Sequence, residues 1–347
     1  MAPAARIKYL HLTPTRPWRP QPHRRPLIPT IAILAAALVS YAVNAVLVRG
    51  LLVATPMDLP NERSLHARPV PRAGGLGILV GSLVALPVAA GARLALLLAL
   101  ALAALSLLDD WRHLPAAVRL AGHLAAAAVF CATVADLGPV PLAMLVLAVS
   151  WMTNLYNFMD GSDGLAGGMA AIGFGTYALA AGLAGDSALM VAAGCVAAAA
   201  MVFLRFNFHP ARIFMGDVGS IPLGFLAAAL GVLGVQRGVW PWWVPPLVFA
   251  PFVVDASVTL ARRLVRGERV WEAHRSHYYQ RAILLGCGHV RTAWAEYALM
   301  AVCGAVALLA PALPVGARAA AVAMPLALIG AAMLGVDAAW SRRSPAP

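Results

Sequence analysis

Residues Asn154–Gly168 read NLYNFMDGSDGLAGG, between one apolar run at Val140–Met152 and another at Met169–Ala184. Two carboxylates, Asp160 and Asp163, and two carboxamides, Asn154 and Asn157, recur at a spacing of three. On a helix that spacing drifts slowly around one face and sends all four towards one cleft. Gly161, Gly164, Gly167 and Gly168 allow sharp turns or a close approach of backbone to a ligand. A charged residue at the centre of a membrane helix costs about 2.5–3.5 kcal/mol on insertion scales. Two Asp between apolar runs therefore belong at a membrane–water boundary or on a wet cavity, not against lipid. The plainer alternative is a polar loop joining two membrane helices.

The rest of the chain repeats this pattern. Its 347 residues are 61% hydrophobic and 12% charged, with a mean hydropathy of +0.79. A soluble domain is about a quarter charged, so the chain reads as an all-α polytopic membrane protein. A net charge of +12 raises nucleic acid as a partner. The Arg residues sit beside apolar spans, however, and membrane topology accounts for them better. The sequence holds no zinc-type Cys/His spacing and no Walker-type phosphate loop. Cys131, Cys195, Cys287 and Cys303 show no framework spacing and read as small core residues, not disulfides.

Residues 1–26 are basic and Pro-rich and read as a disordered tail or an over-extended start. A spanning helix needs about 20 apolar residues. Spans are expected at 26–48, 75–91, 93–108, 118–135, 139–156, 165–184, 187–204, 219–236, 242–261, 291–311 and 317–338, which makes 10–11 helices in one domain over 27–338. Residues 339–347 form a C-terminal tail. Polar segments at 58–75, 109–119, 157–164, 205–219 and 262–291 are separated by two spans each time, so parity puts all of them on one side. They hold most of the Arg, and the positive-inside rule makes that side cytoplasmic. Trp240, Trp242 and Trp243 are expected as an aromatic belt at the opposite interface. Parity also places the basic tail outside, against the rule.

Each polar segment has its own chemistry. In DLPNERSLHARPVPRAGGLG (58–77), Arg63, His66, Arg68 and Arg72 precede a glycine pair that opens a helix. Guanidinium groups and a helix N-terminus both suit phosphate oxygens. In LLDDWRHLP (107–115), Asp109 and Asp110 are adjacent like charges at a helix end, which calls for a cation to offset them. In RFNFHPARIFMGDVGSIPLG (205–224), Asp217 lies between glycines before a new span, and Asn207 and Phe214 suit a planar base or its ribose. Arg212 is a further phosphate candidate. In RRLVRGERVWEAHRSHYYQR (262–281), His274 and His277 flank Arg275; the pair suits phosphate when cationic, or metal, although hard Mg²⁺ prefers carboxylate and water. One membrane face thus gathers carboxylates, amides, His and Arg. That fits metal-assisted phosphoryl-type transfer involving a lipid, where the protein supplies positioning and electrostatics. A transporter or flippase is the alternative class, but it should place ionisable groups near the midplane, often in inverted repeats.

Four segments, NxxNFMDGxDGLAGG, DD after an apolar span, FNFxPAxIFMGDxGSxxLG and HRSHxYQR, resemble the polyprenyl-phosphate N-acetylhexosamine-1-phosphate transferases of glycosyltransferase family 4. That superfamily includes the phospho-N-acetylmuramoyl-pentapeptide transferase of peptidoglycan synthesis. The resemblance implies transfer of N-acetylhexosamine 1-phosphate from a UDP-sugar to polyprenyl phosphate, releasing UMP, with Mg²⁺ or in its place Mn²⁺. It implies that Asp217 ligates the metal together with Asp160, and that Asp109 and Asp110 form the catalytic pair. Asn157, Asp160 and Asp163 match the loop around nucleotide and metal, Asn207 and Phe214 the positions near uridine, and His274 the histidine that supports the diphosphate. Arg63, Arg72, Arg275 and His277 are expected to contact substrate. HRSHYYQR resembles the branch that starts O-antigen or related surface glycans, with GlcNAc or a 6-deoxy relative as the sugar. The peptidoglycan branch has consecutive histidines there. The expected setting is a bacterial inner membrane with undecaprenyl phosphate and no nucleic acid; a homodimer occurs in the superfamily.

Overall fold

The computed structural model describes residues 27–50, 57–58, 69–270, 272 and 274–343. The expected N-terminal tail, Arg63, His66 and Arg68 lie outside them. The chain is an all-α bundle: α1 (Leu27–Val48), α2 (Gly75–Ser82), α3 (Arg93–Arg112), α4 (Ala116–Val134), α5 (Pro139–Phe158), α6 (Leu165–Ala184), α7 (Ser187–Asn207), α8 (Asp217–Gln236), α9 (Val244–Val248), α10 (Ala250–Val265), α11 (Tyr278–Ala282), α12 (Gly288–Leu309) and α13 (Val315–Arg343). Two short strands, β1 (Met57–Asp58) and β2 (Val70–Pro71), pair antiparallel. Among the described residues, nine helical stretches are long and apolar enough to cross a membrane.

The two remaining expected spans take other forms. The first, 75–91, is the short α2 followed by 3₁₀ turns at Leu83–Ala85 and Ala90–Ala92. It nonetheless runs the depth of the bundle. Gly75 starts beside Gly219, in the first turn of α8, and Gly91 ends against the Arg237 guanidinium, just past the last turn of α8. The second, 242–261, is interrupted at Phe249 between α9 and α10. Pro245, Pro246 and Pro251 lack the N–H groups that a continuous helix would use.

Helix α8 is the centre of the bundle. Its interior residues are buried on nearly every side, including Pro222. A helix apolar all round is a buried helix. Small residues let neighbouring backbones come close, which is how helices associate without a hydrophobic drive inside lipid. At the end away from the polar loops, Asp186 caps α7 through Leu189 N–H (2.9 Å) and pairs with Arg237 (2.8 Å). Trp240 is not part of an interfacial belt. It is buried, donates to Gly231 O (3.0 Å) and stacks on Tyr177. Trp242 is exposed. All four cysteines are free, and Cys287 alone of them is exposed.

Candidate active site

The site is built where α2 and α8 begin. Phe214 N–H donates to Pro71 O (2.7 Å), Gly74 N–H to Phe214 O (2.9 Å) and Gly75 N–H to Met215 O (2.9 Å). This short ladder fixes the two helix starts side by side. A Cβ on Gly75 would strike the Gly219 backbone. Gly216 has φ +70°, and a Cβ there would strike the Arg72 carbonyl. Glycine meets both the close approach and the left-handed backbone.

Asp217 is the first residue of α8, where a helix N-terminus favours negative charge. Asn157, in the last turn of α5, donates through Nδ2 to Asp217 Oδ1 (2.9 Å) and Ser220 Oγ (2.9 Å). Asp160 follows in the loop after α5, close enough to the Gly216 backbone N–H to feel its dipole. Burial first, and then the Asp217 charge, push its pKa well above the usual carboxylate range.

Asp109 and Asp110 occupy the last turn of α3, where negative charge is disfavoured by the helix. Each has its own Arg. Asp109 Oδ2 pairs with Arg119 of α4 (3.0 Å), and its Oδ1 accepts from Leu114 N–H (2.7 Å). Asp110 Oδ1 pairs with Arg72 (2.7 Å). Arg72, expected to meet phosphate, thus has one nitrogen committed to Asp110. Asp110 also lies within electrostatic reach of Asp217, so both carboxylate groups belong to one site.

The common helical face expected for Asn154, Asn157, Asp160 and Asp163 does not form. Helix α5 stops at Phe158, and Asp160 and Asp163 sit in the following loop. Asn154 donates to Ser150 O (2.7 Å) and its Oδ1 lies 3.2 Å from His123 Nδ1. Asp163 points to His209 (2.6 Å) and Ala211 N–H (3.1 Å). Asn207 is buried; it accepts from Gly164 N–H (3.0 Å) and donates to Ile213 O (2.9 Å). Its amide braces two loops, rather than standing free for a base. Phe214 is half-buried beside Met215 and Gly216.

The histidine segment docks on the same loop. His277 is buried and stacks on Phe158, with His274 at 4.9 Å between ring centroids. Tyr279 donates to Phe158 O (3.2 Å). His277 therefore serves the packing of the segment, whereas Arg275 is exposed. Burial, then His277 and Arg263, lower the His274 pKa to about 4. His274 is thus a neutral imidazole near neutral pH, not a cation. Its Nδ1 accepts from Ser276 N–H (3.4 Å) and lies 2.8 Å from Ser276 Oγ, which places its proton on Nε2.

Asp255 of α10 organises this segment and was missed in the sequence. Its carboxylate accepts from Tyr278 N–H (3.0 Å), Tyr279 N–H (3.1 Å) and Thr259 Oγ1 (3.0 Å), with His277 Nδ1 at 3.2 Å. A lone carboxylate inside an apolar span was the available signal. Arg119, Ser220, His209 and His289 were also passed over.

The Glycosyl transferase family 4 model matches residues 92–235. The chain is 29% identical to a probable undecaprenyl-phosphate N-acetylglucosaminyl 1-phosphate transferase of Bacillus subtilis, over 75% of this chain and 78% of the relative. It is 27% identical to a decaprenyl-phosphate N-acetylglucosaminephosphotransferase of Mycobacterium leprae, over 74% and 77%. It is 36% identical to a phospho-N-acetylmuramoyl-pentapeptide-transferase of Symbiobacterium thermophilum, over 42% and 43%.

Proposed function

The chain belongs to glycosyl transferase family 4, and from that premise we propose that it moves N-acetylhexosamine 1-phosphate from a UDP-sugar onto polyprenyl phosphate. It is a multi-pass membrane protein of the glycosyl-1-phosphate transferase type. The observation that carries the reading is the meeting of four carboxylates, Asp109, Asp110, Asp160 and Asp217, at one end of the bundle. The relatives named for N-acetylglucosamine transfer align over about three quarters of this chain, and the muramoyl-pentapeptide relative over 42%. This favours GlcNAc as the sugar; a 6-deoxy relative, and initiation of a surface glycan such as O-antigen as the purpose, are inferred from the HRSHYYQR segment.

In this reading a phosphate oxygen of the lipid attacks the β-phosphorus of the UDP-sugar. The bond to the α-phosphate oxygen breaks and UMP leaves. Asp109, held by Arg119 and Leu114 N–H, takes the proton of the lipid phosphate. Arg72 orients Asp110 while keeping other guanidinium N–H groups for phosphate. His274 offers a neutral Nε2–H to the diphosphate. Asp217 and Asp160 would hold Mg²⁺: their oxygens are hard ligands, and Asp160 is unfavourable as an anion without a nearby cation. Bound there, the ion would offset phosphate charge as the leaving group departs. The polar face is cytoplasmic by its Arg content, so the nucleotide sugar arrives from water while the polyprenyl tail stays in lipid. The membrane is a bacterial inner membrane.

The test is UMP release by the purified protein with UDP-GlcNAc and Mg²⁺, with and without undecaprenyl phosphate. Release that requires the lipid acceptor is expected. No release with any UDP-N-acetylhexosamine from well-folded protein would refute the reading. Radiolabelled sugar phosphate trapped on the protein without lipid would replace direct attack by a covalent route through Asp109.

A further inference from the structure

Asp163, His209 and His289 come from three places in the chain: the α5–α6 loop, the segment after α7 and the first turn of α12. One ligand atom from each lies within 4.8 Å of the other two. His209 Nδ1 is 2.6 Å from Asp163 Oδ2. His289 is oriented on its Nδ1 side by Ser162 Oγ (2.9 Å) and Asp163 N–H (3.4 Å). The two imidazoles lie parallel, with centroids 5.1 Å apart and planes within 5°. Asp163 is buried, His289 half-buried and His209 exposed. The cluster therefore has one buried anchor and an open mouth. The transfer reaction gives no task to either histidine.

The geometry points to a binding site for a divalent transition-metal ion of the zinc class, held by one carboxylate oxygen and two imidazole nitrogens. Zinc takes nitrogen at about 2.0–2.1 Å and carboxylate oxygen at about 2.0–2.2 Å, which puts tetrahedral ligand atoms roughly 3.4 Å apart. The two imidazoles, parallel in the ion-free form, would have to turn so that their nitrogens converge on the ion. In the ion-free form His209 and Asp163 share a hydrogen bond. An incoming ion replaces that bond, and a neutral His209 would then carry its proton on the other ring nitrogen. Two nitrogens with one oxygen suit zinc and disfavour Mg²⁺, which takes oxygen and water. The site is thus chemically distinct from the Asp160–Asp217 pair. A fourth position faces the open mouth. An ion there would tie the α5–α6 loop to α12 and to the end of α7.

This inference does not rest on the transferase reading, and its test needs no turnover. Full-length protein is purified in detergent, freed of any tag, stripped with chelator and equilibrated with Zn²⁺ in excess Mg²⁺. Bound zinc is counted by elemental mass spectrometry, and Co²⁺ in its place is read by visible absorption. The parent should retain zinc and give a Co²⁺ spectrum of nitrogen and oxygen ligation. His289→Ala and His209→Gln should each weaken binding by at least about 10-fold, while His274→Ala retains it; size-exclusion profiles establish that each variant is folded. If His209→Gln aggregates, His289→Ala alone decides. No zinc on the parent, undiminished zinc on the folded variants, or loss that follows His274 would overturn the site.

Discussion

The two carboxylate pairs of the site are neutralised differently. At the end of α3, Asp109 and Asp110 each face an Arg, Arg119 at 3.0 Å and Arg72 at 2.7 Å. At the start of α8, Asp217 and Asp160 are met by an amide and a backbone N–H, and among the described residues neither forms an ion pair with Lys, Arg or His. The first pair is charge-balanced by the protein itself. The second is short of positive charge in a half-buried place, which a divalent cation would supply. The contrast teaches that carboxylates alone do not mark a metal site. Their remaining partners decide it.

The largest effect expected from this contrast is on the second pair. Asp217→Asn should lower turnover by about 100-fold or more, since even the outer partners of a metal ligand matter by about 10–100-fold. Near-normal UMP release by a folded Asp217→Asn protein would remove Asp217 from the metal site. On the first pair, Arg119→Gln should cost about 10-fold in rate while leaving the Mg²⁺ concentration for half-maximal activity unchanged. A large rise in that concentration would merge the two pairs into one metal site.

Asp255 is a third arrangement: a buried carboxylate satisfied by two backbone N–H groups, a hydroxyl and a histidine. Asp255→Ala leaves those donors unmet, and unsatisfied buried groups cost about 1–3 kcal/mol each. A fall in thermal midpoint, with UMP release falling more than His277→Ala alone causes, would place Asp255 as the positioning residue of the histidine segment. An unchanged midpoint would make its contacts incidental.

A smaller effect concerns pH. His274 titrates near 4 in the fold, against an ordinary value of 6.5. Between those values the unfolded chain binds more protons than the native one, so stability rises with pH across the window. The contribution is complete above about pH 6.5 and is lost as pH falls towards 4. The His274→Gln protein should show a shallower loss of thermal midpoint between pH 6.5 and 4.5. An equal slope in both proteins would contradict the neutral imidazole.

The smallest expected effect is on topology alone. Among the cysteines Cys287 is exposed and the others are buried. An impermeant maleimide should label Cys287 from the side that carries the polar loops, and Cys287→Ser should abolish the signal. Labelling from the opposite side would invert the orientation.

Much of the architecture was legible because hydropathy reports burial in lipid directly. Runs such as 165–184 and 187–204 became α6 and α7 within a few residues. The break at Phe249 was not, because apolar composition is the same on both sides of it; the prolines carried that information. Within the site, residue types at helix ends were legible, as with Asp217 at the start of α8. Pairings were not. Arg72 reaches Asp110 across 38 residues and Asn157 reaches Asp217 across 60, and no local pattern encodes such distances. The spacing of three at Asn154–Asp163 misled for a related reason. Helix α5 ends at Phe158, before Asp160 and Asp163, so the period no longer fixes direction. Trp240 likewise looked interfacial by position, and packing against Tyr177 buried it.

The proposal that Asp160 and Asp217 would hold a metal ion, and the Arg-paired carboxylates would not, is best checked by Mn²⁺ binding to the purified protein, read by electron paramagnetic resonance without substrate. Asp109→Asn should bind Mn²⁺ like the parent, while Asp217→Asn and Asp160→Asn should each lose at least about 10-fold in affinity. Loss on Asp109→Asn, with binding preserved in Asp217→Asn, would contradict it.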